Sequence, residues 1–290
     1  MSIEKVANAV VTSPMVSMGD WQSVHSHHIM KKTASFRKMA DTSSYMLSHC
    51  TIMSSVMTEE DEDWLIKPEC SHLVNNNDDA WTNEVLQLSY KSFVGAFNFV
   101  EHFQNSKFAK GHILDAVLRK VQIAPPDVWV YFCDILVATD LAHVKLIEDI
   151  RSGRVRYLSM GCVTDLVICS FCGAHVTDSS TYCHHLQFQK GQFLQDEDGI
   201  PRRIAELCGH KSMPNGGVKF VEASWVATPA FPGAAKRNIV SEEWRGPRTP
   251  YTKSSGKIAA FAKAASKSNN FGTINLGEEL LNAELRRNLR

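Results

Sequence analysis

The sequence predicts a mixed α+β domain in which a small barrel-like sheet is flanked by helices and carries a metal-binding insertion. Strand-like and helix-like segments alternate at irregular intervals, unlike the regular order of a doubly wound sheet. The chain has 290 residues, of which 44% are hydrophobic, enough to bury one substantial core. Four cysteines crowd with histidines into one polar stretch of about 40 residues. We therefore expect one compact domain with appendages.

The first half of the chain predicts an arm, a strand and two helices. Residues 1–44 show no sustained hydrophobic period, which predicts an N-terminal arm or propeptide. Apolar and β-branched residues over 45–56 predict the first strand. Turn and capping residues followed by near-helical apolar spacing predict a helix over 79–92. A second helix is predicted over 111–121 from apolar residues at three-to-four spacing: Ile113, Leu114, Val117, Leu118 and Val121.

The second half predicts three strands and one helix before the tail. The run 128–137 is apolar, aromatic and β-branched, which predicts a buried strand. One apolar face over 141–150, stopped by a Ser-Gly pair, predicts a helix. Strands are predicted over 155–168 and 218–227, on either side of an insertion at about 166–216. The main domain is therefore expected to extend over 45–240.

The last segment, 241–290, predicts a basic linker and a C-terminal helix. Residues 244–277 contain Lys and Arg but no acid, and 278–290 place leucines on one helical side. We expect this tail to be a detachable assembly segment.

Charge and hydropathy exclude several classes of protein. Lys and Arg number 31 and Asp and Glu number 31, so net charge gives no argument for a nucleic-acid partner. No apolar run approaches the length of a membrane span, and no secretory signal pattern opens the chain, so we expect a soluble cytoplasmic protein. No phosphate-binding glycine motif is present, which leaves no indication of a nucleotide cofactor. The cysteines that lie singly in apolar segments are predicted to be small buried residues: Cys50, Cys70, Cys133 and Cys162.

The other cysteines form a metal motif. Cys169 and Cys172 are separated by two residues, and the pair Cys183 and His185 follows ten residues later. Thiolates at this spacing converge on one ion from a tight turn, and the second pair completes a tetrahedron. The pattern predicts a structural Zn²⁺ site, with no open position for a catalytic water. Three other side chains compete as ligands: His184, Cys208 and His210.

Three short motifs carry a family resemblance. Ser159-Met160-Gly161 lies within a predicted strand, Glu222-Ala223-Ser224 opens a strand ending in Pro229-Ala230, and His102 follows Glu101 upstream. In this order the motifs resemble those of the prohead (capsid maturation) proteases of tailed phages, serine peptidases related in fold to the herpesvirus assemblins. The resemblance covers about 45–240 and departs from the family in the long metal-bearing insertion.

The resemblance implies a small barrel-like protease domain and a serine endopeptidase. Ser159 would be the nucleophile, His102 the general base and Glu222 the group that orients the imidazole. Gly161 would allow close approach of a substrate carbonyl. The implied substrates are phage scaffold and major capsid proteins, inside assembling proheads in the host cytoplasm, with the enzyme oligomeric or co-assembled. Self-cleavage after Glu284, in Leu281-Asn282-Ala283-Glu284, would also follow.

The residues leave alternatives open. Ser224 shares strand parity with Glu222 and could exchange roles with Ser159. His49 is a rival base, His112 is expected to cap a helix or lie at the surface, and the insertion could supply the third catalytic group. A non-catalytic head or scaffold-associated structural protein with a zinc-stabilised insertion is a different functional class. A zinc-dependent nucleic-acid binder has only the basic segment 245–267 in its favour.

Overall fold

A computed structural model describes residues 3–9, 43–125 and 127–239. The predicted tail at 241–290, with Leu281–Glu284, and most of the predicted N-terminal arm lie outside these ranges. The strands in the described ranges are β1 Ile3–Ala9, β2 Tyr45–Ser54, β3 Asp79–Ala80, β4 Phe97–Val100, β5 Gly111–Ala124, β6 Val128–Asp140, β7 Tyr157–Thr164, β8 Val167–Cys169, β9 His175–Val176, β10 Phe193–Gln195, β11 Pro201–Arg203, β12 Glu206–Cys208, β13 Val218–Val226 and β14 Lys236–Ile239. The α-helices there are α1 Asn83–Ser89, α2 Val144–Ser152 and α3 His184–Phe188. Short 3₁₀ helices occupy Pro68–Leu73, Tyr90–Phe93, Ser106–Phe108, Ser179–Thr181 and Pro214–Gly217.

The main sheet has eight strands in the order β1-β7-β13-β4-β5-β6-β2-β14. All neighbours are antiparallel except β13 and β4, which run parallel. The predicted α+β class is confirmed, but the barrel-like sheet is not closed. In the described ranges the two edge strands do not pair, and one bridge between Tyr157 and Ala235 joins the residue before β14 to the start of β7. The ladder does not continue there because β1 occupies that edge of β7 from Leu158 to Thr164.

The main hydrophobic core lies on one face of this curved sheet. Trp225 and Phe220 of β13 are fully buried, and Phe220 stacks on Phe93 with ring centroids 4.2 Å apart. α1 contributes Val85 and Leu86, while α2 adds further apolar side chains to the same cluster. Burying each large side chain contributes about 1.5–3 kcal/mol, so this core fixes the strands that carry the candidate site.

The predicted helix over 111–121 is wrong, because the segment is strand β5. Ile113, Leu114, Ala116 and Val117 are all buried, so both faces of the strand are covered. A register shift between Ile113 and Asp115 moves the positions that face the main core from an odd number, Ile113, to even numbers, Ala116 and Leu118, which imitates helical spacing. His112, expected to cap this helix or lie at the surface, is half-buried in β5 with its ring 4.9 Å from that of Phe97.

Most other predicted elements are confirmed. β2, β6, α2, β7 and β13 lie within or beside their predicted ranges. The helix predicted over 79–92 is shorter, since α1 begins after Thr82, whose side chain accepts a hydrogen bond from the N–H of Val85. Residues 3–9, which we expected in an N-terminal arm, form β1 on the free edge of β7. None of the helices in the described part of the chain combines the length and apolarity that a bilayer span requires.

The insertion after β7 builds a second, smaller unit. A four-stranded sheet has the order β3-β12-β8-β9, and β10 pairs with β11. Buried side chains from this segment form their own small cluster: Val167, Cys169, Val176, Leu186 and Ile204. Lys190 joins the buried carboxylates of Asp79 and Glu206 at 3.0 and 2.6 Å. The insertion is thereby tied to the segment that precedes α1.

Candidate functional site

Two neighbouring strands of the main sheet bring the predicted catalytic residues together. β7 and β13 are antiparallel, and their register sets Ser159 opposite Ser224 and Gly161 opposite Glu222. Because side chains two residues apart on a strand share a face, all four positions lie on the same side of the sheet. Ser159, Glu222 and Ser224 are at most 1% exposed. The local sequence alternation therefore builds a buried polar row.

His102 reaches this row from the loop after β4. Glu101 and His102 have φ values of +48° and +57°, a left-handed conformation that is costly for side chains other than glycine. Two hydrogen bonds and one strand pairing hold the turn. The N–H of Glu101 donates to Trp225 O at 2.9 Å, the N–H of Ala227 donates to the side-chain Oε1 of Glu101 at 2.7 Å, and β4 is paired with β13. The sheet thus fixes the otherwise unfavourable backbone that presents the imidazole.

The imidazole of His102 lies between a hydroxyl and a carboxylate. Its Nε2 is hydrogen-bonded to the Ser159 hydroxyl, and its Nδ1 is 2.6 Å from Glu222 Oε1. With the Nδ1 proton donated to Glu222, the lone pair of Nε2 is free to accept the serine proton. His102 is the partly exposed member, with 22% of its side chain accessible. This is the geometry in which a serine hydroxyl becomes a nucleophile at neutral pH.

The carboxylate of Glu222 is hydrogen-bonded through both oxygens. The Ser224 hydroxyl donates to Oε2 at 2.5 Å, while Gln104 Nε2 approaches Oε1 at 3.5 Å. A buried carboxylate is costly unless its lone pairs are satisfied, and these donors supply that compensation. Sequence reasoning did not find Gln104, which follows the histidine by two residues in an irregular loop. It treated Ser224 only as a rival nucleophile.

The reason for glycine at position 161 differs from our expectation. A Cβ added at Gly161 would lie 2.8 Å from Glu222 Oε1 and 3.1 Å from Gln104 Nε2. The space above this residue is therefore filled by the carboxylate that contacts His102, not left open toward a substrate carbonyl. The cross-strand pairing of Gly161 with Glu222 explains the arrangement.

The rival residues lie elsewhere or make other contacts. Ser224 donates to Glu222, whereas the hydroxyl nearest to His102 Nε2 is that of Ser159. The imidazole of His49 contacts the buried carboxylate of Asp134 at 3.3 Å. The contact with His102 Nδ1 is made by Glu222 itself, not by a group from the insertion.

The metal motif converges as its spacing predicts. The candidate ligand atoms of four residues lie within 4.8 Å of one another: Cys169, Cys172, Cys183 and His185. Gly173 has φ +68° directly after the first pair, in the left-handed turn that lets the chain reverse. Cys183 is the N-cap of α3, so the first turn of that helix carries His185. This cluster could bind a metal ion such as zinc.

The chemistry of these donors fits a soft divalent metal. Burial raises the pKa of the Cys169 thiol to about 12, although backbone N–H groups of Cys172 and Phe171 oppose the rise. Burial also acts to raise the pKa of Cys183, but hydrogen bonds from the Leu186 N–H and from neighbouring thiols bring that pKa below its ordinary value. The buried Nδ1 of His185 has no hydrogen-bond partner within the described protein. An unsatisfied imidazole nitrogen beside three thiols is the donor set that zinc prefers.

The competing ligands do not join this cluster. His184 is exposed on α3 with its ring 6.5 Å from that of His185. Cys208 packs into the main core, and His210 contacts Asp63 at 3.3 Å. Cys50, Cys70, Cys133 and Cys162 are buried, as predicted.

Comparison of the chain with protein-family models, with curated proteins and with solved structures gave no match.

Proposed function

We propose that the protein is a serine endopeptidase in which Ser159, His102 and Glu222 act as one catalytic unit. The observation that carries this proposal is the imidazole held between a buried serine hydroxyl and a buried carboxylate. Ser159 lies on β7, His102 in the loop after β4 and Glu222 on β13. The serine and the glutamate follow the histidine by 57 and 120 positions in the sequence. A buried hydroxyl and a buried carboxylate joined by one imidazole are a costly arrangement, because each buried polar group needs a hydrogen-bond partner.

The reaction would be acyl transfer. His102 Nε2 accepts the Ser159 proton while the oxygen attacks the scissile carbonyl, and Glu222 holds the imidazole in the required tautomer and orientation. The imidazolium then donates its proton to the leaving amine, and water, activated by the same imidazole, releases the acyl group from Ser159. Ser224 acts as a positioning residue, because its hydrogen bond to Oε2 keeps Oε1 directed at His102.

The resemblance of the three motifs to prohead proteases supports a substrate class. By that resemblance, the protein would cleave scaffold and major capsid proteins within assembling phage heads, in the host cytoplasm. Two of these motifs lie on the paired strands β7 and β13. The pairing of these strands places the serine and glycine of β7 opposite Ser224 and Glu222 of β13.

We also propose that the cysteine cluster holds a structural Zn²⁺ through Cys169, Cys172, Cys183 and His185. Four protein ligands fill a tetrahedron and leave no position for a catalytic water. The metal would supply stability to the insertion, whose own apolar cluster is small. Its role would be to fix β8 and α3 relative to each other.

The test is cleavage of a candidate substrate by matched variants. The purified protein is incubated with a phage scaffold or capsid protein, and new termini are identified by mass spectrometry. We expect cleavage by the unaltered protein and by Ser152→Ala, which changes an exposed serine at the end of α2. Ser159→Ala should give no new termini, and Ser224→Ala should retain reduced cleavage. The same termini from the Ser159→Ala protein would refute the proposed nucleophile.

A further inference from the structure

The hydroxyl of Ser159 lies on a strand that is paired along both edges. β13 lies on one side of β7 and β1 on the other. β1 is antiparallel to β7, with Ile3 opposite Thr164 and Asn8 directly opposite Ser159. Ser159 itself is 0% exposed. An extended peptide can therefore pair with the strand that carries the nucleophile only after one of these neighbours leaves.

The two neighbours of β7 differ in what their removal would do. β13 carries Glu222 and pairs with β4, which leads into the loop of His102, so its displacement would dismantle the site. β1 is an edge strand, and within the described ranges β7 is the only strand that hydrogen-bonds it. Its loss leaves the contacts among Ser159, His102 and Glu222 intact. β1 is therefore the neighbour that can leave without destroying the catalytic geometry.

We infer that residues 3–9 form a displaceable strand that blocks the outer edge of β7, and that an extended peptide exchanges with this strand before it reaches Ser159. This inference rests on the proposed function, since it names how substrate gains access to the same serine. The released edge of β7 presents alternating backbone N–H and C=O groups, which pair with any extended peptide of suitable register. The partner is thus a peptide segment in β conformation, with backbone pairing supplying affinity.

The exchange makes residues 3–9 an autoinhibitory segment. In the described ranges β1 pairs with β7 through a ladder of seven residues of each strand. By contrast, β13 is paired with β7 on one side and with β4 on the other. An intramolecular strand competes at a high effective concentration, so free substrate is disfavoured until the ladder is weakened or the segment is removed. The folded chain would then turn over substrate slowly, and its rate would rise on loss of β1.

Proline substitutions in the full chain test this directly. In an antiparallel ladder, the N–H groups of successive residues point alternately toward and away from the partner. Of Val6→Pro and Ala7→Pro, one therefore removes an amide that faces β7. The other removes an outward amide, which edge strands tolerate, and is the matched control. Zinc content and circular dichroism show whether both variants keep the fold.

The first readout is the rate at which a fluorophosphonate reagent modifies the serine, followed by intact mass, with Ser159→Ala as the blank. One proline variant should react about tenfold faster than the unaltered protein, the factor expected for loss of one ladder hydrogen bond, while the other reacts at the unaltered rate. A synthetic copy of residues 1–10 added to the faster variant should restore the slow rate, and a scrambled peptide should not. Equal rates in all three proteins would overturn the inference.

The second readout separates this inference from the proposed function. A fluorescein-labelled copy of residues 1–10 should bind the ladder-breaking variant, measured by anisotropy, and should bind the unaltered protein much more weakly. Peptide binding without modification of any serine would refute the activated nucleophile but support strand exchange. Absence of peptide binding to both proline variants would overturn strand exchange, whatever the serine does.

Discussion

Replacement of Gly161 by alanine perturbs the candidate site without touching a reacting atom. The added Cβ would lie 2.8 Å from Glu222 Oε1 and 3.0 Å from its Cγ, whereas ordinary contacts begin at 3.4 Å. The carboxylate must therefore yield by about 0.6 Å, because the backbone of β7 is held by ladders on both sides. Its hydrogen bond to His102 Nδ1, now 2.6 Å, would stretch to about 3.2 Å, the outer limit of normal geometry.

The size of the effect follows from this displacement. A misplacement of about 1 Å costs on the order of 100-fold in rate, so 0.6 Å should lower kcat between about tenfold and 100-fold. Crowding of a well-packed interior should also reduce the free energy of unfolding by about 1–3 kcal/mol. KM should change little, because Gly161 faces the glutamate and not the substrate.

The assay compares kcat, KM and urea unfolding for the unaltered protein, Gly161→Ala and Val163→Ala. Val163 lies on the same strand, half-buried, and its truncation should lower stability without moving the Glu222 carboxylate. Adding Glu222→Asp to Gly161→Ala should recover stability by relieving the contact, while activity stays low because the shorter carboxylate no longer reaches His102. Full activity and stability in Gly161→Ala would refute the position assigned to the glutamate.

Three further predictions concern the catalytic unit, the metal and acid stability. Ser159→Ala and His102→Ala should each lower kcat by more than about 1000-fold, and the double variant should be little worse, as steady-state kinetics would show. Cys172→Ser should reduce bound zinc to less than about half an equivalent and lower the urea midpoint, measured by elemental analysis and unfolding. Burial acts to raise the pKa of Asp134, but a hydrogen bond from His49 and the charges of two arginines hold that pKa well below its ordinary value. The lowered pKa contributes stability above about pH 4 that is lost as pH falls. The free energy of unfolding should therefore decrease less between pH 4 and lower pH in Asp134→Asn than in the unaltered protein. An equal decrease in both proteins would contradict this.

The sequence indicated which residues are candidates for the site, but not how they contact one another. Glu222 and Ser224 were recognised together because alternation on a strand gives them one face. Their positions opposite Gly161 and Ser159 depend on the antiparallel register of β7 and β13, which no local pattern encodes. Gln104 was missed for the same reason, since its role comes from the left-handed turn at His102.

The fold errors have a common physical cause. β5 was assigned to a helix because a register shift and burial of both faces removed the two-residue alternation that identifies strands. Closure of the sheet depends on which strands meet at its edges, and β1, not β14, pairs with the outer edge of β7. Long-range pairing decides both features.

The metal motif was the most local feature and was predicted most completely. A two-residue gap between Cys169 and Cys172 constrains the thiols through the turn alone. The choice of His185 over His184 required the position of α3, which begins after Cys183 and leaves His184 exposed.

The central claim is that His102 and Glu222 activate Ser159 and no other serine. Exhaustive modification by a fluorophosphonate, followed by peptide mapping, identifies the modified residue directly. We predict one adduct on the peptide that contains Ser159, lost in Ser159→Ala and strongly slowed in His102→Ala and Glu222→Gln. An adduct on Ser224, or modification of Ser159 at an unchanged rate in His102→Ala, would contradict the claim.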